Sequence, residues 1–154
     1  TRRFAFEAFL PPDKKERAAI LESLKTETRT VILYEAPHHL LATLEQLYRT
    51  LGDRRITLCR ELTKLHETVR LMTLSEALSY YSDTSPKGEY VLVLEGISRQ
   101  TLDQQKQDSW KEMDLKDHMQ LYLDQNFSKK EAMKKVAADR GVSKRDIYQQ
   151  LLDR

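Results

Sequence analysis

Three short segments hold most of the side chains in this 154-residue chain that could do chemistry. They read YEAPHHL at Tyr34–Leu40, CRELTKLHE at Cys59–Glu67 and KGEYVLVLEG at Lys87–Gly96. The first sets the Glu35 carboxylate beside Ala36, Pro37, His38 and His39. Proline favours the first turn of a helix, and a helix N-terminus presents free N–H groups to a polar or anionic ligand. The same residues can also simply cap that helix, and spacing alone leaves both readings open. The second segment brings Arg60, Glu61, Thr63, Lys64 and Glu67 into one turn. Its position at the same predicted sheet edge as Glu35 makes it a candidate site, yet its alternating charges can equally pair with one another as a solvated loop. In the third, Glu89 and Glu95 bracket the apolar run Val91–Leu94, and either carboxylate, if buried, would need a donor.

The elements that must position these groups follow from periodicity. Arg2–Phe9 alternates and reads as a strand that stops at Pro11-Pro12. Asp13 with Glu16 has the spacing of a capping box, ahead of a helix whose face carries Ala18, Ala19, Leu21 and Leu24. Thr30–Tyr34 is a short apolar strand. A second helix runs from about His38 with Leu40, Leu41, Leu44, Leu47, Tyr48 and Leu51 inward and Gly52 at its end. Strands follow at Arg55–Cys59 and Glu67–Met72, then a helix opened by Thr73 and Glu76, then the strand Glu89–Glu95. The order βαβαββαβ predicts an α/β domain over residues 1–97, with a sheet of about five largely covered strands. Residues 98–114 read as a linker, partly helical, and 115–154 as a small all-α tail resembling a helix-turn-helix. In that tail Ser128/Glu131 and Ser143/Asp146 mark helix starts around the turn Arg140-Gly141-Val142, with Ala132, Val136, Ile147 and Leu151 inside. In open α/β folds ligands sit at strand ends, which is where the three polar segments fall.

Composition narrows the chemistry. The four glycines never pair closely, so neither a G-x-G-x-x-G turn nor a P-loop can be written, and no metal-ligand spacing appears. Metal chemistry is not expected. The single cysteine, Cys59, excludes a disulfide framework and reads as a core thiol. No apolar run approaches the roughly 20 residues of a membrane span, so a soluble, cytoplasmic protein is expected. Net charge is only +2, but Ser128–Arg145 holds seven Lys or Arg against two acids. Lys129, Lys130, Lys134, Lys135, Lys144 and Arg145 could neutralise phosphates, or could be solvated lysines on amphipathic helices. Starting at Thr1 directly in a strand suggests a piece of a longer protein.

Taken together, FEAFLPP at Phe6–Pro12, YEAPHHL, RELTK at Arg60–Lys64 with Glu67, and KGEYVLVLEG resemble the C-terminal half of the bacterial small-subunit rRNA 2′-O-ribose methyltransferase I family, within the tetrapyrrole-methylase superfamily. The resemblance runs from about Thr1 to Gly96, and the tail is similar to an extra C-terminal domain of many members. It implies S-adenosylmethionine as methyl donor, a cytidine ribose 2′-oxygen in small-subunit rRNA or the 30S subunit as acceptor, and a homodimer. It also implies that a first α/β domain carrying a Gly-rich loop is missing and that this chain alone is inactive. By that analogy the donor lies against Leu10, Pro11, Glu35, Ala36, Pro37, His38, Glu89, Tyr90 and Val91. Glu61, Lys64 and Glu67 are candidate contributors to catalysis, with the general base unassigned. Arg60, Lys64, Lys129, Lys130, Lys134, Lys144 and Arg145 are the implied RNA contacts. Two departures stand out: Ala8 replaces the family's usual glycine, and His39 its usual arginine, which weakens any anion contact there.

Two other readings remain. One is a regulatory module whose tail reads a nucleic-acid duplex while the α/β domain dimerises or senses a small ligand. The other is a related methylase acting on a small molecule or protein.

Overall fold

The computed structural model describes residues 2–152, which fall into two compact units divided between Ser98 and Arg99. In the first, β1 (Phe4–Phe9), α1 (Lys14–Ser23), β2 (Thr30–Glu35), α2 (Pro37–Leu51), β3 (Arg55–Arg60), β4 (Thr68–Thr73), α3 (Leu74–Asp83) and β5 (Tyr90–Leu94) follow the expected βαβαββαβ order. The five strands form one sheet in the order β1-β2-β5-β3-β4. β1 and β2 are parallel, and the remaining neighbours are antiparallel. The last strand, β5, is therefore threaded between β2 and β3. Its sequence YVLVL is the most uniformly apolar of the five, as a central strand requires.

Register puts Val31, Leu33, Ile56, Leu58, Leu92 and Leu94 on one face. There they form a single core with Leu21 and Leu24, with Leu40, Leu44 and Leu47 of α2, and with Leu74, Ala77 and Tyr81 of α3. The opposite face is open, contrary to the expectation of a largely covered sheet. Phe4, Phe6, Phe9, Tyr34, Val69 and Leu71 are exposed on it, Leu71 at 70%. Phe6 and Phe9 stack edge-on against Tyr34, with centroids 5.1 and 5.6 Å away. Cys59 points to this face and is half-buried rather than a core thiol.

Two helical faces differ from expectation. Thr43 is buried on α2, and Arg17 of α1 reaches its hydroxyl at 2.7 Å and Gln46 at 2.6 Å. Arg17, Ile20 and Leu21 form the inner stripe of α1, with Leu24 just past its end, and Ala18 and Ala19 are exposed. On α2 the buried stripe includes Thr43, and Tyr48 is exposed.

In the second unit the segment read as a partly helical linker forms one helix, α4 (Arg99–Glu112), followed by α5 (Leu115–Leu123), α6 (Lys129–Arg140) and α7 (Lys144–Leu152). A polar, weakly amphipathic sequence is helical here because Trp110 stacks on the buried His118 ring, 4.3 Å away and 10° from parallel. α5, α6 and α7 share a core of Leu115, Met119, Ala132, Met133, Val136, Ala137 and Ile147. Ser128 and Glu131 complete a capping box at α6, and Ser143 and Asp146 exchange hydrogen bonds of 3.0 and 3.2 Å at α7. Gly141 takes φ 65° at the turn between them.

His118 ties this unit together. Arg140 Nε can only donate, and it does so to His118 Nδ1 at 3.1 Å, so the ring proton sits on Nε2 facing Asp139 at 3.1 Å. Tyr122 donates to the same carboxylate at 2.5 Å, which pushes its hydroxyl up to about 12. Burial holds the His118 imidazole below its ordinary range, helped by the Arg140 charge and opposed by Asp139.

Two outcomes follow. The unfolded chain protonates His118 before the folded unit does, so the stability linked to this ring is complete above about pH 6.5 and is lost as pH falls below it. Thermal melts across that range check this, and a His118→Gln variant should flatten the dependence. Ala8 sits at a register shift in β1 with φ 51°, a conformation costing an L-residue roughly 1–2 kcal/mol. Ala8→Gly should therefore stabilise the chain by roughly 0.5–1 kcal/mol in urea unfolding, the entropy of glycine offsetting part of the relief.

Candidate active-site edge

The topology gathers the three polar segments on one edge of the sheet. β1, β2 and β3 end there, while β4 and β5 begin there. Cross-strand pairs set Glu35 opposite Tyr90, Tyr90 opposite Arg60 and Arg60 opposite Thr68, with Phe9 beside Tyr34 at the β1 end. The residues after these strands, Leu10-Pro11, Ala36 to His38 and Glu61 to Glu67, border the same edge.

Side-chain geometry then divides the edge into parts that build it and parts that face outward. Glu35 is 5% exposed; its carboxylate accepts from the Ala36 N–H at 2.8 Å and from the Thr43 hydroxyl at 2.5 Å. Burying a carboxylate is costly without such donors, and these two, backed by Arg17 on Thr43, supply them. Glu35 thus anchors the start of α2. Leu10 and Tyr90 are buried as well, Tyr90 accepting from the Lys87 N–H at 3.3 Å. Pro11, Ala36, Pro37 and Val91 are half-buried, and His38 and His39 are exposed with rings 4.1 Å apart. Neither Glu89 nor Glu95 is buried. The carboxylate requiring donors is Glu35 instead.

The Arg60–Glu67 loop is held by its own charges. Glu61 Oε1 accepts from the Glu89 N–H at 2.8 Å and from Lys64 at 3.2 Å, while the Glu61 N–H donates to the Glu89 carbonyl at 2.9 Å. Lys64 also reaches Glu89 at 2.8 Å, and Glu67 accepts from the Thr63 N–H at 2.6 Å. Folding the loop this way puts Glu61 at φ 52° and Thr63 at φ 66°, conformations that non-glycine residues adopt at a cost. Gly88 is required beside it, because a Cβ there would lie 2.6 Å from the Glu61 side chain. The Glu89 N–H and the Lys64 charge hold the Glu61 carboxyl below the usual range, and the two carboxylates raise Lys64. A carboxylate so stabilised as an anion is a poor general base at neutral pH. The geometry therefore gives Glu61, Lys64 and Glu67 the task of shaping the loop. One donor is left over: among the described residues, the buried Arg60 Nε has no hydrogen-bond partner. Arg60 is at the row's centre, aligned with Tyr90, and an acceptor brought by a ligand would satisfy it.

Sequence reasoning had no access to the Thr43–Arg17–Gln46 support of Glu35, since no motif spacing joins these positions. The lysines of α6 and α7 lie in the second unit. Lys129, Lys130, Lys134, Lys135, Lys144 and Arg145 are exposed, and Lys135 Nζ lies over the Phe127 ring, 4.5 Å from its centroid. Among the described residues, no cluster of His, Cys, Asp or Glu could hold a metal, and no helix is long and apolar enough to cross a membrane.

Residues 1–78 match the family model of tetrapyrrole (corrin/porphyrin) methylases. The chain belongs to this family. Among curated proteins it is similar to "Ribosomal RNA small subunit methyltransferase I" of Bacillus subtilis, 41% identical over 94% of this chain and 49% of the relative. The same-named proteins of Halalkalibacterium halodurans and Synechocystis are 40% and 38% identical over 96% and 99% of this chain, covering 50% and 53% of their own lengths. The chain spans about half the length of the curated relatives it matches. The methylase-family match includes β1 to β4, and with them the Glu35 anchor and the Glu61 loop.

The loop should respond to removal of its anchor. Glu61→Ala is expected to speed amide exchange at Glu89 several-fold while leaving exchange in β2 unchanged. In the parent chain the same protection should persist above about pH 4.3 and be lost on further acidification, because the folded carboxyl titrates below its unfolded counterpart.

Proposed function

We propose that this chain forms half of the methyl-donor cleft of an S-adenosylmethionine-dependent small-subunit rRNA (cytidine-2′-O)-methyltransferase, with a helical tail that engages the RNA. The observation that carries this reading is the convergence of Pro11, Ala36 to His38, Arg60 and Val91 on one sheet edge in a tetrapyrrole-methylase chain whose relatives bear an rRNA methyltransferase name. The membership of residues 1–78 in an enzyme family weighs against a purely regulatory nucleic-acid-binding module.

The edge suits a donor that is part apolar, part charged. Half-buried Pro11, Ala36, Pro37 and Val91 offer apolar surface, and the Arg60 Nε offers an unfilled donor. Leu10, Glu35, Glu89 and Tyr90 hold the donor through the strand-end backbone and the shape they maintain, since three of their side chains are buried and Glu89 is tied to Lys64. S-adenosylmethionine, when bound, supplies an electrophilic methyl group on sulfur. What this half of the cleft contributes is positioning: transfer requires in-line approach of the ribose oxygen, and a rigid wall holds that alignment. Glu61 and Lys64 are engaged with each other and with Glu89, and the base for the 2′-hydroxyl is left unassigned. Lys129, Lys130, Lys134, Lys144 and Arg145 add phosphate contacts on 30S rRNA, Arg60 and Lys64 contribute charge at the cleft, and the complete protein works as a cytoplasmic homodimer.

Methyl transfer from labelled S-adenosylmethionine to unmethylated 30S subunits tests the reading. This chain alone should incorporate no label. Joined behind the first half of the Bacillus subtilis relative, it should label 16S rRNA at a ribose 2′-oxygen, and Val91→Glu in that fusion should abolish donor binding. Normal turnover by the isolated chain would defeat the half-cleft reading.

A further inference from the structure

The outward face of α7 carries a combination of side chains that the phosphate-contact reading leaves unused. Ile147 is fully buried and Leu151 packs partly into the core of the unit. At 3.6 residues per turn, Lys144 and Tyr148 lie on one flank of α7, and Leu152, Arg145 and Gln149 continue that stripe onto the side away from the core. All five are exposed, Tyr148 at 55%, and Tyr148 lies outside the core cluster. Tyr148 thus offers an exposed ring with Lys144 four residues and Arg145 three residues before it.

The surrounding charge is positive for a specific reason. Both acids between Ser128 and Arg145 are committed: Glu131 to the capping box with Ser128, and Asp139 to His118 and Tyr122. Asp146 is turned back to the Ser143 N–H. Among the described residues, Glu131 and Asp146 keep their charge but are bonded to their own helix starts, and the cations of α6 and α7 outnumber the acids.

We propose that this face binds single-stranded RNA, with an unpaired base stacked on Tyr148, Gln149 beside its edge, and Arg145 and Lys144 on the adjoining phosphates. This rests on the reading that RNA is the substrate of the complete protein. Charge complementarity favours a polyanion, and the ring selects an unstacked base within it. The A-form duplex hides its base edges in a deep, narrow major groove closed to a helix, whereas loops and single strands expose base faces to aromatic side chains.

The full chain, titrated against a short fluorescent single-stranded RNA of mixed sequence and against duplex DNA of the same sequence, decides the matter by anisotropy. Tyr148→Ala should weaken RNA binding about tenfold, Tyr148→Phe should keep it, and both should melt like the parent because the ring is exposed. Arg145→Ala should lower the salt dependence by about one ion. If Tyr148→Ala binds as tightly as the parent while Lys129→Glu with Lys130→Glu does not, the stacking proposal fails and the RNA reading stands. If the parent ignores RNA, or prefers the DNA duplex, both fail.

Discussion

The candidate site depends on the insertion of β5 between β2 and β3. Arriving last in the first unit, this strand pairs antiparallel with both neighbours and so sets Glu35, Tyr90 and Arg60 in one row. A slip of one residue would turn Leu92 and Leu94 out of the core and Val91 and Val93 into it, reversing every assignment along the edge. The register is held at two places: by the burial of alternate strand residues against α1, α2 and α3, and by Glu61, whose backbone and side chain both grasp Glu89. Tying the entrance of β5 to the exit of β3 locates the polar edge relative to the core.

Most of the ionisable groups on that edge spend their capacity on the protein itself. Glu35 is satisfied by Ala36 and Thr43, Glu67 by Thr63, and Lys64 by two carboxylates. The backbone conformations of Ala8, Glu61 and Thr63 are costly and cluster at the same strand ends, on either side of the Glu35 turn. Strain at such positions persists only where the surroundings over-determine it, and here an ion network and a buried carboxylate do so. A sheet edge built this way is held in place by its own residues.

The second unit solves a different problem. Four short helices with few large apolar residues cannot rely on core volume alone, and a neutral, fully buried histidine joins three of them: Trp110 on α4 stacks on it, Tyr122 of its own helix shares its carboxylate partner, and Asp139 and Arg140 come from α6. The network draws the free acid of α6 inward. The exposed surface of α6 and α7 is rich in lysine and arginine, with Glu131 and Asp146 exposed at the helix starts.

Local signals in the sequence determined much of this protein. The βαβαββαβ order, the caps at Asp13, Thr73 and Ser128, the helix end at Gly52 and the turn at Gly141 were all legible, because each is fixed by interactions between residues close in the chain. So was the convergence of three polar segments on strand ends, and the glycine expected at Ala8 has its cause in the positive φ found there. Tertiary structure alone decided which groups remain available. Whether Glu35 caps or binds turns on Thr43 and Arg17, eight residues ahead and eighteen behind; whether Glu61 is a base turns on the Glu89 amide of a distant strand. It also decided that one face of the sheet stays open and that residues 99–112 are a helix. Hydrogen bonds and burial between remote segments are long-range terms, and no local pattern of residue types encodes them.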